Sequence, residues 1–316
     1  MQVRIARKFQ AATDICAFEL VSADGRALPP FTAGAHVDVR VGGGIVRQYS
    51  LCNSPSETHR YLIAVLRDAN SRGGSVAMHA LEEGGLLEIG EPKNHFPLNE
   101  RAGHSLLLAG GIGVTPILAM AEALAANGAS FEMHYCTRNA ARTAFRERLG
   151  EASFAGRVHL YFDDARDGEA RLDLAALFAS RALDTHLYVC GPAGFIAAVM
   201  GAAKAAGWDD ARVHREFFAA GPQEGGNDGA FQVKLSTSGR LIEVAPDVTV
   251  AAALAAAGVD LPTSCEQGVC GTCLTRVLSG EPDHRDVYLT DEEKAANDQF
   301  LPCCSRSKSP VLVLDL

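Results

Sequence analysis

The sequence predicts a multidomain chain in which an antiparallel β-barrel, a doubly wound α/β domain and a small α+β domain follow one another. Three observations lead there. Up to about residue 98, short apolar runs are separated by Gly and Pro punctuation, the pattern of a small antiparallel barrel. From Ser105 onward, strand-like and helix-like runs alternate, which implies a parallel sheet with helices on both faces. After a Gly-rich stretch at 219–229, a third zone holds five of the nine cysteines. A length of 316 residues accommodates two or three domains of about 100–200 residues each. The boundaries expected are 1–100, 101–221, a linker at 222–229, and 230–316.

Taken in order, the opening Met1-Gln-Val-Arg-Ile-Ala-Arg-Lys-Phe9 lacks the apolar core of a signal peptide and reads as a first strand. Runs at 37–41 and 61–66 are further strands, divided by Leu28-Pro-Pro30, Gly42-Gly-Gly44 and Asn53-Ser-Pro55. One helix is expected at 74–83, stopping at Gly84-Gly85. The run at 105–109 is apolar throughout and fits a strand buried on both faces. A helix follows to about Asn127-Gly128, with Pro116 near its first position. Strands are then expected at 131–137, 158–163, 185–190 and 213–218, and helices at 172–181 and 194–206. In the last zone, 231–235 and 240–244 form a hairpin across Thr237-Ser-Gly239, and 249–257 is helical.

Composition excludes several function classes. A net charge of −9 with a pI near 5.6 leaves no basic stripe for nucleic acid. No uncharged apolar run is long enough to span a membrane. An odd number of cysteines without a secretory signal suits a reducing cytoplasm, where thiolates serve metals rather than disulfides.

The strongest single signal is Cys265-Glu-Gln-Gly-Val-Cys270-Gly-Thr-Cys273, followed at a distance by Cys303. This C-x4-C-x2-C…C spacing is that of plant-type [2Fe–2S] clusters. Three thiolates from one tight loop must wrap the cluster, and Gly268, Gly271 and Thr272 supply a permissive backbone. Cys303 and Cys304 compete for the fourth position, and spacing favours Cys303. A zinc site prefers paired knuckles, which two adjacent cysteines do not form easily. From 230 onward 12 Asp/Glu face 7 Lys/Arg, so this zone carries much of the acidity.

Other motifs are weaker alone. In Arg47-Gln48-Tyr49-Ser50 an Arg fork can pair with phosphate, a Tyr can lie on a flavin ring, and a Ser can reach a ring nitrogen. An ordinary half-buried strand fits it as well. Arg72-Gly73-Gly74-Ser75 resembles a phosphate cradle at a helix start. Gly110-Gly111-Ile-Gly113-Val-Thr115-Pro116 stands where a dinucleotide fingerprint belongs without matching it, and Gly113 would let the backbone approach a pyrophosphate. Cys190-Gly191-Pro192 ends a later strand at the same sheet edge.

These motifs, in this order and ending in His214-x-Glu216-x-Phe218, resemble the ferredoxin–NADP reductase superfamily. With the cysteine module at the C-terminus, the whole chain resembles the phthalate dioxygenase reductase family. The stretch from Cys265 to Leu316, with Pro282-Asp-His-Arg-Asp286 and Cys303-Cys-Ser-Arg306, narrows the likeness to oxidoreductase components of vanillate-type O-demethylases and phenoxybenzoate-type oxygenases. The resemblance implies an FMN-binding β-barrel, an NAD-binding α/β domain and a β-grasp-like plant-type ferredoxin domain. It implies that Arg47, Gln48, Tyr49 and Ser50 contact FMN, with Val65, Leu66 and Arg67 along its ring or ribityl edge and Gly73, Gly74 and Ser75 on its phosphate. Phe218 would cover the isoalloxazine and yield to nicotinamide. Cys190 would sit near the hydride-transfer point with Glu216 nearby assisting charge balance, and Ser50, Cys190, Glu216 and Phe218 would be the catalytic residues. Gly111, Gly113, Thr115, Pro116, Arg138, Gly191 and Pro192 would line the dinucleotide site, and Cys265, Cys270, Cys273 and Cys303 would hold the cluster.

The activity expected is therefore an NADH:acceptor oxidoreductase. Hydride passes from NADH to FMN, and electrons leave singly through the [2Fe–2S] cluster to a Rieske-type aromatic oxygenase. The chain is expected to be a cytoplasmic monomer. Alternatives are a stand-alone flavin or ferric reductase, which would need no cluster module, and a redox-sensing binding protein. No 2-His-1-carboxylate set is evident in the sequence, so oxygen activation is not expected on this chain.

Overall fold

A computed structural model of the chain describes residues 1–69, 71, 73–164, 171–179, 184–218 and 229–316. Two compact units result, Met1–Glu216 and Phe217–Leu316. Most of the expected linker, 222–228, lies outside the described residues.

The first unit opens with β1 (Gln2–Ala12), β2 (Ile15–Ser22), β3 (His36–Val41), β4 (Ile45–Ser50), β5 (Tyr61–Leu66), helix α1 (Gly74–Ala80) and β6 (Leu86–Ile89). The strands run β4-β3-β6-β1-β2-β5, with antiparallel neighbours throughout. Closure comes just past β4, where Leu51 bridges Ile63 and the Cys52 N–H donates to the Leu62 carbonyl at 2.9 Å. The result is a barrel. β5 shows why its sequence is apolar throughout. Tyr61, Ile63 and Val65 fill the barrel interior, and Leu62 and Ala64 face outward into a second core, as the two-residue period of a strand requires.

That second core belongs to the sheet that follows. It is built from β7 (His104–Gly110), α2 (Val114–Ala126), β8 (Phe131–Thr137), α3 (Arg146–Glu151), β9 (Val158–Phe162), α4 (Leu174–Ala179), β10 (Thr185–Cys190), α5 (Ala193–Ala205) and β11 (Val213–Glu216). All neighbours are parallel in the order β11-β10-β7-β8-β9. The order reverses between β7 and β10, whose carboxyl ends form the crevice where such sheets bind ligands. Barrel residues Ile15, Ala17, Cys52, Leu62 and Ala64 share one buried cluster with Ile117, Met120 and Leu124 of α2. The two expected modules therefore form one unit.

Several boundaries differ from expectation, and for α1 and β11 the reason is tertiary. α1 ends at Ala80 rather than 83. Lys8 of β1 donates its ammonium to the carbonyls of His79 and Leu81, and Gly84 and Gly85 pair with Ile5 instead of following a helix. β11 ends at Glu216, because its partner β10 ends at Cys190 in the facing register. α4 spans only Leu174–Ala179, and Arg181 lies outside the described residues.

The second unit contains β12 (Phe231–Leu235), β13 (Leu241–Val244), α6 (Val250–Ala256), β14 (Thr275–Ser279), β15 (Pro282–Asp283), α7 (Asp291–Ala296), β16 (Gln299–Phe300), β17 (Arg306–Ser307) and β18 (Val311–Leu314). Its mixed sheet runs β13-β12-β18-β14-β16, with β12 parallel to β18, and β15 pairs β17 separately. Arg306 is buried and donates to the carbonyls of Val248, Ala245 and Gly229 at 2.8, 3.0 and 3.2 Å. Its guanidinium also lies over the Phe231 ring. Charge-assisted bonds to backbone of this kind order a turn that has no regular partners.

The switch point carries a sharp steric demand. A Cβ at Gly113 would lie 2.3 Å from the Cys190 carbonyl oxygen and 2.4 Å from its carbon, whereas one at Gly201 in α5 would meet nothing within 4 Å. Gly113→Ala is expected to lower stability by about 1–3 kcal/mol through overpacking against backbone. Gly201→Ala is expected to raise it by about 0.5–1 kcal/mol through helix entropy. Urea unfolding of the two variants measures both.

Candidate functional site

On the barrel, β4 presents Arg47, Gln48, Tyr49 and Ser50 opposite Val39, Asp38, Val37 and His36 of β3. Gln48 donates its amide to Asp38 at 3.0 Å, so its side chain serves the barrel. Burial pushes the Tyr49 phenol up to about 12, with Arg47 acting the other way. Arg47 reaches the next motif. A Cβ on Gly74 would meet the Arg47 side chain at 2.8 Å, and one on Gly73 would meet Ile45 at 3.2 Å. The two sequence-distant motifs therefore form one surface. Gly73 has a left-handed φ of 95°, and Ser75 Oγ bonds Ser71 Oγ at 2.9 Å and accepts the Asp68 N–H at 3.2 Å. A guanidinium beside a glycine turn and a hydroxyl matches the donor chemistry of a phosphate. Arg72 lies outside the described residues. Val65 is fully buried in the barrel core and its carbonyl bonds His79 at 2.9 Å, while Leu66 and Arg67 are exposed.

At the end of β4, Ser50 is buried and its side chain hydrogen-bonds Glu216, the last residue of β11. Glu216 stands opposite Cys190 in the parallel register, with the thiol 4.0 Å from Oε2. The structure thus gathers Ser50, Cys190 and Glu216 from three strands. Loss of hydration raises the Glu216 carboxyl to about 8, against the lowering effect of the Ser50 hydrogen bond. Burial, reinforced by Glu216, pushes the Cys190 thiol well above its usual range. A carboxyl group poised near neutrality beside a buried thiol is the kind of perturbation that marks functional sites.

The remaining positions divide. Gly111, with φ 53° and nothing near its missing Cβ, is open. Gly113 instead packs on Cys190, and a Cβ on Gly191 would sit 2.9 Å from Gly110 Cα, so close packing of the two turns accounts for both glycines. Thr115 and Pro116 are buried in the first turn of α2, with the Thr115 hydroxyl donating to the Ile112 carbonyl at 3.1 Å. Pro192 and Arg138 are exposed. Phe218, 37% exposed, falls in the second unit.

In the second unit, Cys265, Cys270, Cys273 and Cys303 are all buried. Their thiols interact: a hydrogen bond with Cys265, together with burial, pushes the Cys270 thiol up, and one with Cys303 draws Cys273 down. The loop between them turns through left-handed backbone at Glu266, Gly268 and Gly271, and the Gln267 N–H points at Cys265 Sγ at 3.4 Å. A Cβ on Gly271 would collide with the Tyr288 ring at 2.3 Å. The Cys304 sulfur lies against Gly268, Leu301 and Ser305, and a hydrogen bond with the Cys303 thiol pushes it up. Four buried sulfurs with a backbone N–H aimed at one of them fit a cluster of the plant type, and Cys303 is buried with the other three while Cys304 is half-buried. Asp286, also buried, accepts from the Leu289 N–H at 2.8 Å and from Ser305 at 3.4 Å, tying the segment around Cys303 to the loop covering it. The sequence gives no local signal for that tie, since it needs the 286 and 305 segments brought together.

One cluster lay beyond the reach of the sequence: Glu132 and His134 on β8 and His159 on β9 bring one possible ligand atom each within 4.8 Å of one another. Only strand register reveals it, because His159 lies far along the chain.

Comparison with known proteins agrees with this picture. Residues 233–308 match the family model of the 2Fe-2S iron-sulfur cluster binding domain. Residues 92–213 match the model of the dimethylamine monooxygenase subunit DmmA-like N-terminal domain. The chain is 54% identical to a vanillate O-demethylase oxidoreductase of Pseudomonas sp., with 100% of both chains covered. It is 41% identical to a phthalate dioxygenase reductase of Burkholderia cepacia, over 100% of this chain and 97% of the relative. A solved phthalate dioxygenase reductase, described as a modular structure for electron transfer from pyridine nucleotides to [2Fe-2S], aligns with a TM-score of 0.81 at 41% identity over 100% of this chain and 98% of that one.

Glu216 makes a pH prediction. Its ordinary value is 4.5 and its folded value about 8, so between these pH values the folded chain holds a proton that the unfolded chain has released. Stability from this group is present below about 4.5 and is lost as pH rises through 8. Glu216→Gln is expected to raise the thermal midpoint at pH 8 more than at pH 5. Melting curves at the two pH values test it, and an equal shift at both would remove the raised carboxyl.

Proposed function

This chain belongs to the phthalate dioxygenase reductase family, and we propose that it delivers electrons from NADH, through FMN and a [2Fe–2S] cluster, to a Rieske-type aromatic oxygenase. The observation that carries the reading is the presence in one polypeptide of the Ser50–Cys190–Glu216 junction and the four-thiol loop. When bound, FMN accepts hydride and releases electrons singly, and the cluster accepts them one at a time.

The proposed division is an FMN module over 1–100, an NAD module over 101–221, a linker over 222–229 and a ferredoxin module over 230–316. Its support is the barrel, the parallel sheet and the mixed sheet. Arg47, Gly73, Gly74 and Ser75 would bind the FMN phosphate. Tyr49 and Ser50 would contact the ring, with Gln48, Val65, Leu66 and Arg67 contributing backbone or edge contacts. Gly111, Gly113, Thr115, Pro116, Gly191 and Pro192 would shape the turns that receive the dinucleotide, and Arg138 would stand at its outer end. Phe218 would shield the ring until nicotinamide enters. At neutral pH Glu216 holds a proton on its carboxyl, and the Ser50 hydroxyl orients that group beside the Cys190 thiol. Cys265, Cys270, Cys273 and Cys303 would ligate the cluster.

The terminal oxygenase of an O-demethylase is the partner to test first, given the 54% identity to a vanillate O-demethylase oxidoreductase. Each chain would carry a complete relay, so a monomer suffices. Among the described residues no helix is long and apolar enough to cross a membrane, and nine free cysteines fit the proposed cytoplasmic location.

The second unit exposes Asp291, Glu292 and Glu293 on α7 in a module of acidic balance. Purified protein is expected to contain FMN and a [2Fe–2S] cluster and to reduce the O-demethylase oxygenase with NADH. Added salt is expected to slow that transfer while leaving NADH-to-ferricyanide reduction unchanged, because exposed charges are screened over about 10 Å at 0.1 M. Stopped-flow reduction of the oxygenase at two ionic strengths checks this. Equal rates would remove electrostatic docking, and absence of flavin or cluster would remove the proposal itself.

A further inference from the structure

A site apart from this relay lies on the outer strands of the parallel sheet. β8 and β9 pair in parallel with His134 directly opposite His159. Glu132 lies two residues before His134 and therefore on the same face. One ligand atom from each residue lies within 4.8 Å of the others. His134 Nε2 and Glu132 Oε2 are 3.4 Å apart, about the spacing of two donors sharing one ion at metal–ligand bonds of about 2.1 Å.

The set shows the features of a built site rather than of scattered surface groups. His134 is buried, and its other nitrogen, Nδ1, is held by the Tyr161 hydroxyl at 3.0 Å. A partner on the far nitrogen fixes ring orientation and leaves the near one for a metal. The rings of His134 and His159 stack at 4.9 Å and 21°, and the exposed His159 ring would turn out of this stack to aim a nitrogen at the ion. Glu132 and His159 are exposed, so water reaches the open positions. On the adjoining strand β7, the residues facing Glu132 and His134 are Leu106 and Leu108. Both are buried, and neither competes as a donor.

We infer that Glu132, His134 and His159 bind one divalent transition-metal ion of the zinc class, with water completing its coordination. Two imidazoles and a carboxylate suit zinc, copper or nickel better than calcium or magnesium. The ion would cross-link β8 to β9 outside the electron path.

The test is calorimetric titration of the oxidised holoprotein with zinc chloride. One equivalent is expected to bind. His159→Ala, a change at an exposed position, is expected to abolish that binding, and Glu132→Gln to weaken it about tenfold or more. Cys136→Ser, on the same face of β8, is expected to leave it intact. The visible spectrum and the NADH-to-dye rate of His159→Ala should match the parent, showing an intact fold. Zinc binding that survives His159→Ala, that is lost only in Cys136→Ser, or that is absent from the parent protein overturns the assignment.

Discussion

The backbone contact between Gly113 and the Cys190 carbonyl sets the geometry on which the first site depends. With only a hydrogen at Gly113, the turn after β7 closes onto the end of β10. The parallel register then places Glu216 beside Cys190, and barrel closure at Leu51 and Ile63 brings Ser50 to the same point. The junction is enclosed by these strand ends, and burial raises the carboxyl group to about 8. Electrostatics here follows from packing. The shared core of barrel and α2 makes that packing rigid, because close-packed interiors relax little.

The second unit solves a different problem with the same means. Four thiols must be buried together without a regular element to hold them. Left-handed backbone at Gly268 and Gly271 curls the loop, and the Tyr288 ring occupies the space a side chain at 271 would need. Asp286 and Ser305 join the segment around Cys303 to the loop's cover, and Arg306 ties the following strand to the 245–248 turn. These polar residues are buried and bonded, as interior polar groups must be. They account physically for Asp286 within the 282–286 motif and for Ser305 and Arg306 within 303–306.

Much of this was legible in the sequence where one local rule dominated. The strands at 131–137 and 185–190 match to the residue, because each is a short β-prone run between turn and helix signals. The cysteine-bearing module was readable from spacing, and residues 233–308 match the 2Fe-2S domain model. What escaped needed contacts between distant segments. The end of α1 is set by Lys8, and the reason for Gly113 lies in Cys190. The meeting of Arg47 with Gly74, and of His134 with His159, depends on register and closure. One legible signal went unread: Thr290 and Glu293 form a capping box that starts α7.

The central claim is that one polypeptide joins a two-electron donor site to a one-electron cluster held by Cys265, Cys270, Cys273 and Cys303. Anaerobic reductive titration counts the electrons directly. The account predicts three equivalents per chain for the native protein, two for the flavin and one for the cluster. It predicts two for Cys303→Ser and three for Cys304→Ser. Two equivalents in the native protein, or three retained after Cys303→Ser, would contradict it.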